Sequence, residues 1–319
     1  MRSTTSPEEP TTVAGINEGR IVAITGAGGG VGRSHALAFA QTGAKVVVND
    51  LGGARDGSGG DAGPAETVAA EIRAAGGEAV ANTDNIATQA GADNLIRQAI
   101  ETYGDVHVVV NNAGILRDKM LVNMSESDWD AVVAVHLKGT FGPMQAAAKH
   151  WREQTKAGRE VQASVINTSS ASGIFGNVGQ ANYGAAKAGI ASLTIIAAME
   201  LGRYGVRVNA ISPTALTRMT EGLEGLTQLM NERGGPEALS PDNISPVVTY
   251  LGSPISAPIT GRVFGAWGGR VTVMEGWTNG PYAETEGRWD PEALADVIPD
   301  LVAKAAPNSL MNGTRPAAQ

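Results

Sequence analysis

The stretch RIVAITGAGGGVGRSHALAFAQTGAKVVVND (20–50) decides the fold. Its first six residues, mostly apolar and β-branched, have the pattern of a strand buried on both faces. The next segment, ITGAGGGVGR (24–33), sets glycines between that strand and SHALAFAQTG (34–43), an alanine-rich run of helical spacing closed by glycine. A second β-branched run, KVVVN (45–49), then ends on Asp50. Strand, glycine turn, helix, strand and acid form the context in which a loose glycine pattern becomes informative. Gly26, Gly30 and Gly32 are the expected working glycines, because bare backbone lets a pyrophosphate approach and a helix N-terminus supplies unpaired N–H groups and a favourable dipole. Asp50 lies 18 residues beyond Gly32. A carboxylate there accepts both hydroxyls of an adenine ribose and repels a 2′-phosphate, which favours NAD over NADP. The plain alternatives are a glycine turn without ligand and a strand-end aspartate that starts a turn.

The same rhythm continues along the chain. VHVVVN (106–111), SVINT (164–168) and VRVNAI (206–211) read as buried strands, and AETVAAEIRAAGG (65–77) and DNLIRQAIETYG (93–104) as helices between them. Alternation of this kind specifies an α/β fold: a single Rossmann-type, doubly wound parallel sheet with helices on both faces. GRVFGAW (261–267) is expected to complete the sheet, and VTVMEGW (271–277) to begin a C-terminal extension. The expected organisation is a flexible tail over 1–18, one nucleotide-binding catalytic domain over 19–270, and an extension of that domain over 271–319. Within the extension, Asp290 is the expected N-cap of a helix with Pro291 at its first position, and Pro299 is expected to kink it.

Composition narrows the chemistry. The chain of 319 residues has no cysteine, which excludes disulfides, thiolate metal sites and a cysteine nucleophile. Its four histidines, His35, His107, His136 and His150, show no ligand spacing, so no metal site is expected. A net charge of −8 offers no long-range attraction to nucleic acid or to an anionic membrane. The polar opening MRSTTSPEEPTTVAGINEG lacks the apolar core of a secretory signal, no uninterrupted apolar run has membrane-spanning length, and the terminal RPAAQ is no peroxisomal address. A cytoplasmic protein acting on a small molecule is the expectation.

NTSSASGIFGNVGQANYGAAKAGIASL (167–193) carries the chemistry. Tyr183 and Lys187 are four apart on a helical pattern and share a face. A lysine ammonium stabilises phenolate and draws the phenol pKa down from about 10, which makes tyrosine usable as an acid or base. Ser170, thirteen positions before Tyr183 and just past a strand, is placed to hydrogen-bond a substrate oxygen. A Tyr/Lys pair alone is more often a surface contact; the serine and the glycine turn change that reading.

With TGAGGGVG (25–32), NNAG (111–114), Ser170 and YGAAK (183–187) in order, the chain resembles the short-chain dehydrogenase/reductase family over about residues 20–270. The resemblance implies catalysis by Ser170, Tyr183 and Lys187, with Lys187 also holding the cofactor ribose. It implies further cofactor contacts from Val31, Asp84, Asn85, Ala113 and Thr217, and places Asn111 and Gly114 on the cofactor floor. VHLKG (135–139) departs from the common N-x-x-G motif by carrying His136, for which a structural role and a part in a proton path both stay open. VVVNNAGILRDKM, SDWDAVVAVHLKGTF and TSSASGIFGNVGQANYGAAKAG are most similar to the (3R)-hydroxyacyl-CoA dehydrogenase region of peroxisomal multifunctional enzyme type 2, and the branch extends to bacterial hydroxysteroid dehydrogenases. This implies NAD-dependent oxidation of a secondary alcohol, foremost a 3-hydroxyacyl-CoA, with Tyr183 as base and Ser170 orienting the oxygen. A hydroxysteroid dehydrogenase, an NADPH-dependent ketoacyl reductase and a non-catalytic NAD-binding scaffold or sensor are the alternatives. Asp50 opposes the reductase, and the intact Ser/Tyr/Lys set opposes the scaffold.

The segment from about Ala215 to Ser240 has the pattern of a lid or of an ordinary surface helix. WDAVVAVHLKGTFGPMQAAAKHW (129–151) and NYGAAKAGIASLTIIAAMELG (182–202) carry more apolar surface than one sheet face requires. By the resemblance they pair across an axis in a homodimer or homotetramer. Residues 54–63, rich in glycine, read as a loop beside the adenine end of the cofactor site that orders when NAD binds.

Overall fold

A computed structural model describes residues 15–217 and 236–316. Strands β1 (Ile21–Thr25), β2 (Lys45–Asn49), β3 (Glu78–Asn82), β4 (Val108–Asn111), β5 (Ala163–Thr168), β6 (Val206–Pro213), β7 (Val263–Trp267) and β8 (Arg270–Met274) form one sheet in the order β3-β2-β1-β4-β5-β6-β7-β8. All pairings are parallel except β7 with β8. β1 is buried along its whole length, as a central strand covered on both faces must be.

Side chains that alternate along β1 and β4 feed two cores. Val22, Ile24, Val108 and Val110 meet Phe39 of α1 (Gly30–Gln41), Val68 and Ile72 of α2 (Gly63–Ala74), and Val248 and Leu251 of a helix over Ser245–Gly252. Ile21, Ala23 and Val109 meet Leu95 of α3 (Gln89–Tyr103), Met144 and Trp151 of α5 (Gly139–Lys156), and Ala198 of α7 (Ala181–Leu201). The Trp151 indole donates to Val106 O at 2.7 Å, so the largest side chain of this layer is buried with its polar group paired. The chain reverses direction across the sheet between β1 and β4, and such a switch point opens a crevice at the C-terminal strand ends.

The connections have local causes. α3 starts where Thr88 accepts from Gly91 N and stops at Gly104 in the left-handed region. α4 (Glu126–Val133) opens with a reciprocal capping box between Ser125 and Asp128. A π-helical turn, Ala134–Lys138, then joins it to α5 and carries His136.

Three expectations are modified. β8 lies in the stretch assigned to the C-terminal extension, yet it pairs with β7 and becomes an antiparallel edge of the sheet. Residues 15–18, assigned to the tail, are a turn pinned to the body: buried Asn17 donates from Nδ2 to Thr42 Oγ1 and Thr249 O. Residues 1–14 of that tail lie outside the described residues. The C-terminal helix spans Leu294–Lys304 with Pro299 inside it, and Asp290 caps the preceding turn through Glu292 N rather than the helix itself. Most of the anticipated lid, 218–235, also lies outside the described residues, but its two ends meet where Leu216 N donates to Leu239 O at 2.7 Å. α7 is long and apolar enough to cross a bilayer by composition; it packs against β6 and the short helix α6 (Ala171–Phe175) as an element of the fold.

Candidate active site

The turn after β1 is built for close approach. Gly26 and Gly30 have φ of 65° and 52°, in the region that favours glycine. A Cβ on Gly26 would stand 2.6 Å from Ala113 Cα, and one on Gly32 would stand 2.1 Å from Gly26 O. Val31, between them, is half-buried against the α1 side of the core. Thr217, after β6, brings its methyl within 3.5 Å of the place a Gly30 Cβ would occupy, so the loop after β6 closes over the turn.

Asp50 holds this turn from the other side. Its carboxylate accepts from Gly28 N at 2.8 Å and from Gly52 N at 2.7 Å, which fixes the group at the ends of β1 and β2. The Asp84 carboxylate accepts from Asn82 and Asn94, and the Asn85 amide oxygen accepts from Ala87 N in the turn leading to α3. Both therefore stand at the end of β3, one strand further from the glycine turn than Asp50.

The NNAG segment divides its work differently from the expectation. The Asn111 side chain is buried in the sheet and donates to Asn167 Oδ1 at 2.9 Å, so it joins β4 to β5. Asn112, which sequence reasoning passed over, donates to Thr25 O and Gly26 O and clamps the glycine turn. Thr25 Oγ1 accepts from Asn112 N and Ala113 N. Gly114 is required by a neighbour: a Cβ there would lie 2.4 Å from His136 Cε1.

Ser170, Tyr183 and Lys187 come together past the end of β5. Ser170 is the extended N-cap of α6, with its Oγ accepting from Ser172 N at 3.2 Å. The first turn of α7 is held by Asn182, whose Nδ2 donates to Arg117 O and Asp128 O and whose Oδ1 accepts from Tyr183 N. Lys187 is buried one turn on, its ammonium 5.5 Å from the Tyr183 ring centroid and 2.6 Å from Thr168 O.

Burial decides the resting ionisation of this pair. It lowers the Lys187 pKa to about 7 and raises that of Tyr183, while a hydrogen bond from Ser170 lowers the phenol and the Asp118 carboxylate raises it. This differs from the expectation that the lysine brings the phenol down. Here the ammonium is bound to a backbone carbonyl, and loss of water dominates.

His136 packs edge-on against Tyr183, with centroids 5.0 Å apart and planes at 88°. Its Nε2 lies 2.8 Å from Ile115 O and 3.1 Å from Ile115 N, and the shorter contact assigns the proton to Nε2. Burial, followed by the Lys187 charge, lowers its pKa to about 3, so the ring is neutral and shapes the site by packing.

The sequence profile of the short chain dehydrogenase family matches residues 20–227. The chain belongs to that family. As a short-chain dehydrogenase it is an oxidoreductase of CH–OH groups and works with a nicotinamide cofactor. It is 41% identical to hydroxyacyl-CoA dehydrogenase ChsB1 of Mycobacterium tuberculosis, across 98% of both chains. It is 47% identical to peroxisomal multifunctional enzyme type 2 of Mus musculus over 73% of this chain and 30% of that longer one. The crystal structure of a short chain dehydrogenase from Mycobacterium avium is 52% identical and superposes with a TM-score of 0.83, covering 92% of this chain and 98% of that one. The short-chain dehydrogenase cofactor fits this site on geometric grounds: a turn whose tight packing admits only glycine at positions 26 and 32 opens a helix and faces a carboxylate at the neighbouring strand end.

Proposed function

We propose that this short-chain dehydrogenase oxidises a (3R)-3-hydroxyacyl-CoA to the 3-ketoacyl-CoA with NAD. The reading is carried by the convergence of Ser170, Tyr183 and Lys187 past β5, in the same crevice as the glycine turn and Asp50. The likeness to hydroxyacyl-CoA dehydrogenase ChsB1 along nearly the whole of both chains supports the acyl-CoA class.

Gly26, Gly30 and Gly32 would receive the pyrophosphate, with Val31 and Thr217 against it, and Asp50 would accept the adenine ribose hydroxyls. Asp84 and Asn85 would flank the adenine, and Ala113 and Gly114 would underlie the nicotinamide half. When bound, the nicotinamide supplies the hydride acceptor and a positive charge beside Tyr183. Tyr183 is the base: its phenolate takes the substrate hydroxyl proton. Ser170 donates a hydrogen bond to the substrate oxygen and holds the carbinol carbon in place. Lys187 binds the ribose and stabilises the phenolate, and a bound cofactor's phosphate and ribose oxygens would favour its charged form against the burial that lowers it.

The decisive assay follows NAD reduction with (3R)- and (3S)-hydroxyacyl-CoAs of increasing bulk, steroid-linked thioesters included, beside free hydroxysteroids. Turnover confined to the (3R) thioesters is expected. Steroid turnover without any acyl-CoA turnover would replace this reading with a hydroxysteroid dehydrogenase. Tighter binding of NADP than of NAD would overturn the role given to Asp50.

A further inference from the structure

Behind Ser170 runs a chain of side chains that ends on Asp118. The Gln180 Nε2 donates to Asp118 Oδ2 at 2.8 Å, and its Oε1 accepts from Ser172 Oγ at 2.7 Å and from Asn177 Nδ2 at 2.9 Å. Ser172 N in turn donates to Ser170 Oγ. Gln180 is buried, and its orientation is imposed from one end. An ionised carboxylate only accepts, so the amide must turn its NH2 to Asp118 and its oxygen to Ser172, whose hydroxyl must then donate. Ser172 is thereby held from both its hydroxyl and its backbone, and the segment Ser170–Gly173 cannot rotate without breaking a buried bond. The Ser170 oxygen uses one lone pair on Ser172 N, which leaves its proton to be donated forward.

We propose that Gln180 is a positioning residue for the reaction: read in register by Asp118, it acts through Ser172 to hold the Ser170 hydroxyl as a donor toward Tyr183 and the reacting oxygen. The inference rests on the assignment of Ser170 and Tyr183 above and adds the machinery that aims them. Among the described residues, the groups facing Tyr183 are Lys187 on its own helix, His136 from the π-helical turn, Asp118 from the loop after β4 and Ser170 from the N-cap of α6. Of these, Gln180 touches Asp118 directly and reaches Ser170 through Ser172.

Two measurements test it. In the first, kcat and KM are compared for wild type, Gln180→Met, Gln180→Glu, Asp118→Asn and the double variant Gln180→Glu/Asp118→Asn, each checked for an unchanged melting temperature. Gln180→Met is expected to lose about tenfold or more in kcat with KM within about threefold, the pattern of an interaction realised in the transition state. Gln180→Glu sets two carboxylates face to face and is expected to lose as much. In the double variant the amide introduced at position 118 donates to the carboxylate introduced at position 180, which still accepts from Ser172, so kcat recovers.

The second measurement needs no substrate. 3-Fluorotyrosine in place of Tyr183 is titrated by fluorine NMR in the Asp118→Asn enzyme, where the charge that Gln180 also touches is gone, alone and with Ser170→Ala, Gln180→Met or both. Each substitution added singly should raise the phenol midpoint, and the pair should raise it no further than Ser170→Ala alone. An unchanged midpoint in Gln180→Met, or shifts that add in the pair, overturns the proposal, as does a Gln180→Glu/Asp118→Asn enzyme as slow as Gln180→Glu. If wild type turns over no acyl-CoA, the substrate reading fails while the titration still decides the role of Gln180.

Discussion

At the scale of single residues, burial does most of the electrostatic work. Lys187 is buried and Tyr183 half-buried, and burial pushes the phenol up and the ammonium down to about 7. Replacing Tyr183 by Phe keeps the ring against His136 and removes the proposed base, so turnover should fall about 10³-fold while NAD affinity measured by calorimetry stays within about twofold. Asp50→Ala should narrow the preference for NAD over NADP, read as the ratio of the two dissociation constants. It also takes the acceptor from Gly28 N and Gly52 N, both half-buried, at a cost of about 1 kcal/mol each. The buried imidazoles set an acid limit. His35 and His136 each fall to about 3 through burial, against an ordinary 6.5, so below 6.5 the unfolded chain takes up protons that the folded chain refuses. Their folded-state pKa values are depressed, and stability is therefore full above 6.5 and is lost as pH falls toward 3. The loss approaches about 1.4 kcal/mol per pH unit for each histidine inside that window. Urea titrations at pH 7, 5.5 and 4.5 should show it, and a flat profile would mean that the rings protonate inside the fold.

At the scale of elements, the glycine turn and α1 are one object. Gly32→Ala places a methyl 2.1 Å from Gly26 O and 2.5 Å from the Asn112 amide, neither of which is free to move, because Asn112 clamps Gly26 as well. The variant should lose NAD binding and at least about 2 kcal/mol of stability, the scale of an overpacked core position. Gly269→Ala, in open space at the β7–β8 turn, should change stability by less than about 0.5 kcal/mol and serves as its control. The loop of residues 51–62 is more than a spacer. Leu116 N donates to Arg55 O, Arg117 Nε donates to Asp56 O, and Gly57 rests on Ile115, so the loop reaches from the end of β2 to the segment after β4. Since β1 lies between those strands, the loop passes over the crevice in which the cofactor is proposed to lie. Hydrogen exchange over 54–63 should slow when NAD is added, and unchanged exchange would separate the loop from the cofactor.

At the scale of the whole molecule, apolar surface is distributed unevenly. Ile195, Ile196 and Met199 stand exposed on α7, the last at 72%, although the helix is the one that carries Tyr183 and Lys187. Three large apolar side chains exposed together on one helix form a patch of the kind that marks an association face. The chain should run as a homodimer or homotetramer in sedimentation, and Met199→Glu should shift it toward monomer; a monomeric wild type would remove the proposal. The C-terminal extension is tied to the body near the site, where Gly313 approaches the Phe175 ring of α6. That contact sets the extension five residues from Ser170.

Local pattern was enough for the sheet and for the residue types of the site. Buried parallel strands must be continuous apolar runs, a pyrophosphate turn must be glycine, and a Tyr/Lys pair one turn apart must share a helix face, so ITGAGGGVG, KVVVN and YGAAK were legible without coordinates. What the chain could not show locally are partnerships between residues far apart. NNAG does not say which asparagine clamps the turn, because that depends on the packing of β4 beside β1. Gln180 is unremarked three residues before Tyr183 until the fold sets it between Asp118 and Ser172. The run RVTVM (270–274) has a β-branched strand pattern of its own, but only the packed sheet shows that it turns back and pairs antiparallel with β7. Nor could helical spacing reveal that Lys187 directs its ammonium to Thr168 O, because its ionisation is set by burial and burial belongs to the packed whole. Sequence determined the elements and the chemistry available; tertiary structure decided which groups meet, how dry they are, and hence what they do.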